Sequence, residues 1–379
     1  MVGALCLLLC TATPVGAQAV ATPAVDVGLG RGVTIRASDD SASLNIRARI
    51  QTRATVIDSP RDTVPDTSEV LIRRARLVFQ GNAAGPTVTY YVQLSFANLD
   101  NEADLRLPLR DAYVTWSGAR DFNVRVGQMK VPFSRQRVVS SSALQMVDRS
   151  IVVSELNLDR DVGLQLFSRN LLGTGRLGYA LGVFGGEGRN RLGRRAGLLY
   201  TARLEAWPLG AFDDYVEGDG QRRPRPRLAV GLGAGYNQHT NRPRRTIGTP
   251  YPAGDVDYAH AHADVVFKWR GLSLTSEVMY RRGEPGASFN GQLPRSAWGA
   301  YLQGGFMLTA RNEITGRYSR LDPREGADPA LVDADEVGAG VNHYLQGHDL
   351  KVQADYFRVT EPALRRRVNQ ARIQLQLFF

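Results

Sequence analysis

The nine residues 371–379, ARIQLQLFF, alternate between apolar and mostly polar side chains. One face of an extended strand would carry Ala371, Ile373, Leu375, Leu377 and Phe379, and the other Arg372, Gln374, Gln376 and Phe378. A terminal aromatic residue on such a strand suits a membrane barrel, because the outer face meets lipid and aromatic residues gather at the rim. The segment therefore predicts the closing strand of a transmembrane β-barrel.

The first nineteen residues predict a secretory signal. They carry no charge, include the apolar run LCLLLC, and offer small residues for cleavage after Ala17 or Ala19. A buried N-terminal helix is the alternative. Because Cys6 and Cys10 are the only cysteines in the chain, the predicted mature protein has no thiol for a disulfide or a thiolate site.

Residues 44–379 predict an all-β, antiparallel transmembrane barrel of about 16 strands. Beyond the signal, no apolar run approaches the roughly 20 residues of a spanning helix, so a membrane crossing requires a closed barrel. Short connections alternate with the long ones at 58–68, 98–107, 129–159, 238–254, 283–295 and 322–334. The long connection 208–225 falls on the short-turn side, which suggests that one strand is misassigned there. A soluble β-sandwich or β-helix is the alternative.

The predicted organisation has three parts. Residues 1–19 form the signal, 20–43 a lead-in segment and 44–379 the barrel. The third long connection, 129–159, is the longest, and such a loop in a wide barrel often folds inward. We expect it to constrict the lumen.

The positive charge is almost entirely arginine. The formal net charge is +10, and Lys130, Lys268 and Lys351 are the only lysines. Arginine-rich codon usage is the simple explanation, whereas anion handling is the functional one, because guanidinium is a permanently charged fork for oxyanions. By alternation, the polar face of the first strand carries Arg47, Arg49 and Arg53, which predicts three arginines in the lumen.

Four motifs point to a family. They are RRARLVFQG at 73–81, LRDAY at 109–113, RVGQMKVPFSR at 125–135 and DRDVG at 159–163. In combination they resemble the phosphate-selective porin O and P family over most of the chain after the signal. The resemblance implies a 16-stranded, trimeric channel in the outer membrane of a Gram-negative bacterium, in contact with lipopolysaccharide.

The resemblance also implies an anion site lined by arginine and lysine, with an aspartate nearby. Its contributors here would be Arg47 or Arg49, Arg73, Arg74, Lys130 and Asp111, with phosphate as the preferred ion and other small anions as alternatives. Neighbours on a strand face opposite sides, so Arg74 and Arg76 make the better lumen pair. Arg73 would then face lipid, a subunit interface or a bulge.

Further lumen candidates are Arg125 and Arg135, and alternation adds Arg203, Arg317, Lys351 and Arg372. The alternative for each later cation is a salt bridge in the barrel wall, with Glu205, Glu277, Glu313 or Asp355 as available partners. His260, His262 and Asp264 share a strand face like a metal site, although polar lumen residues are the simpler explanation.

No catalytic constellation, cofactor motif or nucleic-acid recognition element is evident, so the sequence predicts neither an enzyme nor a nucleic-acid partner. The prediction is a passive anion porin. A general solute porin and a non-transporting structural or adhesin barrel are the alternatives.

Overall fold

The computed structural model describes residues 24–59, 66–100, 107–191, 197–242, 250–251, 254–284, 287 and 292–379. The predicted signal, 1–19, lies outside these residues. The strands are β1 Ala24–Gly28, β2 Gly32–Arg36, β3 Ser43–Asp58, β4 Thr67–Asn82, β5 Val88–Ser95, β6 Leu109–Ala119, β7 Phe122–Lys130, β8 Arg160–Ser168, β9 Leu177–Phe184, β10 Leu199–Ala206, β11 Arg227–Thr240, β12 Val256–Trp269, β13 Leu272–Gly283, β14 Ala297–Met307, β15 Asn312–Pro323, β16 Ala334–Gln346, β17 Leu350–Glu361 and β18 Arg366–Phe378. The helices are α1 Arg135–Val138 and α2 Ile151–Leu156, and single 3₁₀ turns cover Asn98–Asp100, Leu171–Gly173 and Pro362–Leu364.

Strands β3 to β18 form a closed antiparallel barrel of sixteen strands, which confirms the predicted fold. Each strand pairs with the next, and β18 closes the ring against β3 from Asn369 opposite Asp58 to Phe378 opposite Arg49. Closure leaves no barrel strand with an open edge, as hydrocarbon requires. Among the described residues, no helix is both long enough and apolar enough to span a membrane.

The alternation in sequence becomes an apolar outside and a polar inside. On β18, Ile373 and Leu375 are about half exposed on the outer face, whereas Gln374 and Gln376 are buried on the inner face. The other strands repeat the arrangement, with Ile50 exposed beside buried Gln51 on β3. Polar side chains thus face the lumen while apolar side chains face outward.

Residues 24–36 form an antiparallel hairpin within the predicted lead-in. Gly28 pairs with Gly32 at its turn, and β2 then pairs with the start of β3, Val33 opposite Ile46. The first barrel strand therefore has neighbours along its whole length, because β2 covers its beginning and β18 the remainder.

The long loop, residues 131–159, contacts strands on opposite sides of the barrel. Gln51 on β3 donates to the Ser141 carbonyl at 3.2 Å, and Glu277 on β13 accepts from Ser134 Oγ at 2.9 Å. Ser134 and Ser150 cap α1 and α2 by accepting from backbone N–H groups three residues on.

Apolar residues of the long loop share a small core with the barrel wall. The cluster contains Val131, Phe133, Val152, Val153, Leu156 and Leu158 of the loop with Phe184, Leu199, Met279, Ala297, Tyr301, Leu321, Leu331 and Ala334. Each fully buried side chain of this size stabilises by about 1.5–3 kcal/mol. The loop is therefore packed against strands β9 to β16.

The sequence pattern suggested that a strand near 208–225 was misassigned, and the structure shows that this suspicion is wrong. Strands β10 and β11 pair over their full facing length, from Leu199 opposite Asn237 to Ala206 opposite Val230. Residues 207–226, the short-side insert, are a genuine long connection that contacts the long loop. Glu217 of the insert accepts from Gln145 N at 2.7 Å. The expectation of short turns on this side fails here, because the insert packs against the long loop.

Candidate functional site

A cavity of about 180 Å³ lies at the long-loop end of strands β4 to β8. We name it the cationic cavity. Nine basic and two acidic side chains line it, with Leu99 and Ser141. The basic residues are Arg73, Arg74, Arg76, Arg110, Lys130, Arg137, Arg149, Arg160 and Arg189, and the acidic ones are Asp100 and Asp159. The surplus of positive charge makes an anion the complementary ligand.

A β-bulge places three arginines of β4 on this one cavity. Arg74 pairs with Gln51 and Ile72 with the next residue, Thr52, so Arg73 is left without a partner on β3. Arg73 Nη1 instead donates to the Leu99 carbonyl at 2.8 Å. Of the three predicted alternatives for Arg73, the structure has the bulge.

Two carboxylates from loops orient the β4 arginines. Asp100 accepts from Arg76 Nη2 at 2.6 Å and lies 3.6 Å from Arg74 Nε. Asp148 of the long loop pairs with Arg53, Arg74 and Arg372 at 2.5, 3.3 and 3.3 Å. Burial alone would raise the pKa of Asp148, but these guanidinium groups lower it below its usual range. Asp148 thus stays ionised and ties the loop to the arginine wall.

Two further cations are held by carbonyl oxygens. Lys130 Nζ donates to Val138 O at 2.7 Å and Val139 O at 3.2 Å. Arg149 donates to Gln136 O at 2.8 Å and Val139 O at 2.7 Å. Neither forms an ion pair with any residue that the structure describes. Burial and the neighbouring cation Arg137 lower the pKa of Arg149 well below its usual value. Both charges therefore have fixed positions without a direct carboxylate partner in the described part of the chain.

Asp111 is a partner of Arg160. Its two oxygens accept from Arg160 Nε at 3.0 Å and Nη2 at 2.9 Å, a bidentate arrangement. Arg160 also pairs with Asp159 at 3.1 Å. The structure therefore uses Asp111 to position a cation on the cavity wall, and its carboxylate is occupied.

We expect Asp111→Asn to lower thermal stability. Arg160 is 3% exposed and would lose its bidentate partner, and breaking a buried pair typically costs about 3–5 kcal/mol. Asp159 still pairs with Arg160 in this variant, so the loss in free energy of unfolding should be near the lower figure. The check is the melting temperature of the refolded barrel by circular dichroism. An unchanged melting temperature would contradict the positioning role.

The three arginines of β3 have different surroundings. Arg53 pairs with Asp148, and Arg47 lies 3.9 Å above the Phe378 ring. Arg49 is 3% exposed and donates to Ser140 Oγ at 3.3 Å, while its Nε and Nη2 have no hydrogen-bond partner among the residues that the structure describes. Burying a guanidinium group whose N–H donors lack acceptors costs free energy, unless an anion accepts from those donors. Arg49 lies directly opposite Arg76 in the sheet.

Two more cavities continue from the cationic cavity toward the short turns. A middle cavity of about 270 Å³ shares Arg76, Lys130 and Arg160 with it. A wider cavity of about 850 Å³, the short-turn cavity, shares Tyr91, Tyr113 and Arg125 with the middle one. The three cavities therefore share wall residues in sequence along β3 to β8, whereas the loop core occupies the side of β9 to β16.

The remaining lumen candidates lie elsewhere. Arg135 is 1% exposed and pairs with Glu205, Asp214 and Asp264. Three later cations form salt bridges. Arg372 pairs with Asp355 at 2.7 Å and Arg203 with Glu205 at 3.2 Å, both partners that the alternative named. Arg203 also pairs with Asp264 at 2.7 Å and Arg317 with Glu336 at 2.9 Å, partners that it did not name. Lys351 donates to the Leu144 carbonyl at 2.7 Å.

The metal-like trio is part of a hydrogen-bond network. His262 Nε2 lies 3.2 Å from Asp264 and 3.0 Å from Glu277. In the part of the chain that the structure describes, no cluster of three or more histidine, cysteine or acidic side chains could hold a metal ion.

Sequence reasoning missed several cavity residues. These are Arg110, Arg137, Arg149, Arg160 and Arg189, with Asp100, Asp148 and Asp159 as their acidic partners or neighbours. Arg110 and Arg160 lie within the motifs 109–113 and 159–163, so their proximity to those motifs was an available signal. No such signal marked the loop residues, because the alternation of apolar and polar side chains does not extend into irregular loops.

The model of the family described as phosphate-selective porin O and P matches residues 44–220. An uncharacterised protein of Aquifex aeolicus is 24% identical over 263 residues, 63% of this chain, and the chain spans 60% of that relative's length. Among solved structures, the outer membrane channel DcaP of Acinetobacter baumannii aligns with a TM-score of 0.60 at 12% identity, covering 91% of this chain and 99% of that one. An anion-selective porin from Comamonas acidovorans also gives 0.60 at 12% identity, covering 89% and 100%. The barrel thus has the fold of outer-membrane porins, and the resemblance of this chain to the phosphate-selective porin O and P family is confirmed over residues 44–220.

Proposed function

We propose that this protein is a passive anion channel of the outer membrane, assembled as a homotrimer and selective for phosphate. The observation that carries the proposal is the cationic cavity, where nine basic side chains outnumber two acidic ones. The two additional aspartates that pair with this wall, Asp111 and Asp148, still leave a surplus of cations. An anion is the species that balances such a site.

Enclosure strengthens the attraction for an anion. Two unit charges about 4 Å apart interact by about 1 kcal/mol in water but by about 4 kcal/mol in the partly desolvated environment of a protein. Lys130 and Arg149 would contribute most, since neither forms a direct ion pair with a carboxylate among the described residues and both are held by carbonyl oxygens. Arg49, with two unused donors, adds a third incompletely satisfied cation beside Arg76.

Hydroxyl groups supply what phosphate needs beyond charge. A protonated phosphate oxygen requires an acceptor, and serine hydroxyls both donate and accept. Ser141 lines the cationic cavity and Ser140 the middle cavity. Because Asp111 is engaged by Arg160, we assign the acceptor role to these serines in place of the predicted aspartate.

The chain of cavities offers a route for permeation. The ion would enter the cationic cavity from the long-loop side, pass Lys130 and Arg76 into the middle cavity, and leave past Arg125. Conduction requires several weak sites in preference to one tight site, and shared wall residues let the ion move between neighbouring cations. We further propose that the long loop sets the narrowest point, since Ser141 and Arg149 form one wall there.

The test is single-channel recording of the refolded protein in a planar bilayer under a potassium chloride gradient, followed by phosphate titration. We expect a reversal potential that favours chloride and a chloride current blocked by low phosphate. Anion selectivity without phosphate block would overturn the phosphate assignment and leave a general anion porin. Absence of channel current would overturn transport altogether and favour a structural or adhesin barrel.

A further inference from the structure

An aromatic surface separates the middle cavity from the short-turn cavity. The rings of Tyr91 and Tyr113 stack with centroids 5.2 Å apart and planes 15° from parallel. Both tyrosines line both cavities, and both are only partly buried. Inorganic phosphate offers no apolar surface for such rings, so the anion path alone does not explain them.

Arg125 is fixed against the same surface. Its guanidinium carbon lies 4.4 Å from the centroid of Tyr113 and 5.0 Å from that of Phe167, and its Nε donates to Thr115 Oγ1 at 3.0 Å. Arg125 has no ion pair with any residue in the described ranges. Aromatic rings therefore hold this cation at the boundary of the two cavities while its terminal nitrogens remain available.

Cavity size also distinguishes the cationic cavity from the middle and short-turn cavities. Sites for organic molecules typically have volumes of about 300–1,000 Å³. The cationic cavity, at about 180 Å³, is below that range and suits a small anionic group. The middle cavity, at about 270 Å³, is only slightly below the range. The short-turn cavity, which shares Tyr91 and Tyr113 with it, measures about 850 Å³ and has room for a ring beside the tyrosines.

We propose that the short-turn side of the anion path binds aryl phosphates and similar anions with a flat aromatic body. The anionic group would lie at Lys130, Arg76 and Arg160, which border the middle cavity. The ring would lie against the partly exposed surface that the Tyr91–Tyr113 stack presents to the cavities. The inference rests on the proposed anion path and narrows its ligand class. Access is from the short-turn end, because the cationic cavity is too small for the ring.

The test compares phenyl phosphate with methyl phosphate, which has the same anionic group without a ring. Each ester is added in turn to the two chambers of a planar bilayer, and the concentration for half block of the chloride current is measured. An aromatic contact stabilises by about 0.5–1.5 kcal/mol, so we expect phenyl phosphate to block at roughly 2- to 13-fold lower concentration, from one chamber only. Equal block by the two esters would overturn the proposal. If inorganic phosphate and both esters fail to block, the anion path itself fails.

Substitutions locate the ring contact. Tyr91→Leu and Tyr113→Leu should each bring the half-block concentrations of phenyl phosphate and methyl phosphate to the same value. The chloride current of each variant shows that its barrel is assembled. Tyr91→Phe keeps the ring and should keep the preference. Tyr179→Leu is the matched control, since Tyr179 lies on β9 between the exposed outer residues Leu177 and Leu181. Retention of the preference in both leucine variants would contradict the assignment.

Discussion

Lys130→Gln should weaken phosphate block of the chloride current by about tenfold. The substitution removes a partly buried charge that borders both the cationic and the middle cavity. A hydrogen bond to a charged group contributes about 1.5–3 kcal/mol, and 1.4 kcal/mol corresponds to tenfold in affinity. The measurement is the phosphate concentration for half block in single-channel recordings.

Lys268→Gln is the matched control. Lys268 is 1% exposed and, like Lys130, donates to two carbonyl oxygens of a segment inside the barrel, those of Asp213 and Val216. It lies on β12, away from the cationic cavity. We expect phosphate block to be unchanged in this variant. If both substitutions weakened phosphate block equally, the lysines would set only the general electrostatic field of the lumen. If Lys130→Gln left phosphate block unchanged, Lys130 would not belong to the anion site.

Arg135→Met should release the long loop and destabilise the barrel. Arg135 is buried among Glu205, Asp214 and Asp264, and its loss leaves carboxylates without their shared cation. Breaking a buried ion pair costs about 3–5 kcal/mol. Arg203 still pairs with Glu205 and Asp264, and Arg169 with Asp214, so the loss should be near the lower figure. We expect a lower melting temperature together with larger and more variable single-channel conductance, since Arg135 connects the long loop to both β12 and the short-side insert.

Arg169→Met tests whether the burial of Arg135 is the reason that its ion pairs stabilise the barrel. Arg169 also pairs with Asp214, at 2.7 Å, but its side chain is 46% exposed. An exposed pair contributes about 0–1 kcal/mol, so stability and conductance should change little. If Arg169→Met matched Arg135→Met in both measurements, loop anchoring by the buried arginine would be wrong.

The barrel was predictable because its signal is local. Alternation along β3 and β18 assigned Ile50 and Ile373 to the outer face and Gln51 and Gln374 to the inner face, and the structure agrees. A strand fixes the direction of each side chain by its pleat, so a few residues suffice. The strand number and the long loops followed from repeating that pattern.

The short-side insert shows where local reasoning fails. Its length appeared to break the rule of short turns, and sequence offered no sign that Glu217 and Asp214 would meet the long loop. These contacts join segments about 70–80 residues apart, and only closure of the barrel brings them together.

The composition of the cationic cavity was decided in the same way. The sequence by itself determined that Arg74, Arg76 and Lys130 belong to polar strand faces or their ends. Tertiary structure decided that a bulge adds Arg73, that Asp111 is occupied by Arg160, and that Arg149 and Asp148 arrive from the long loop. The physical reason is that pleating sets the direction of each side chain within one strand, whereas the partners of a buried charge are set by which distant segments the closed barrel forces into the same space.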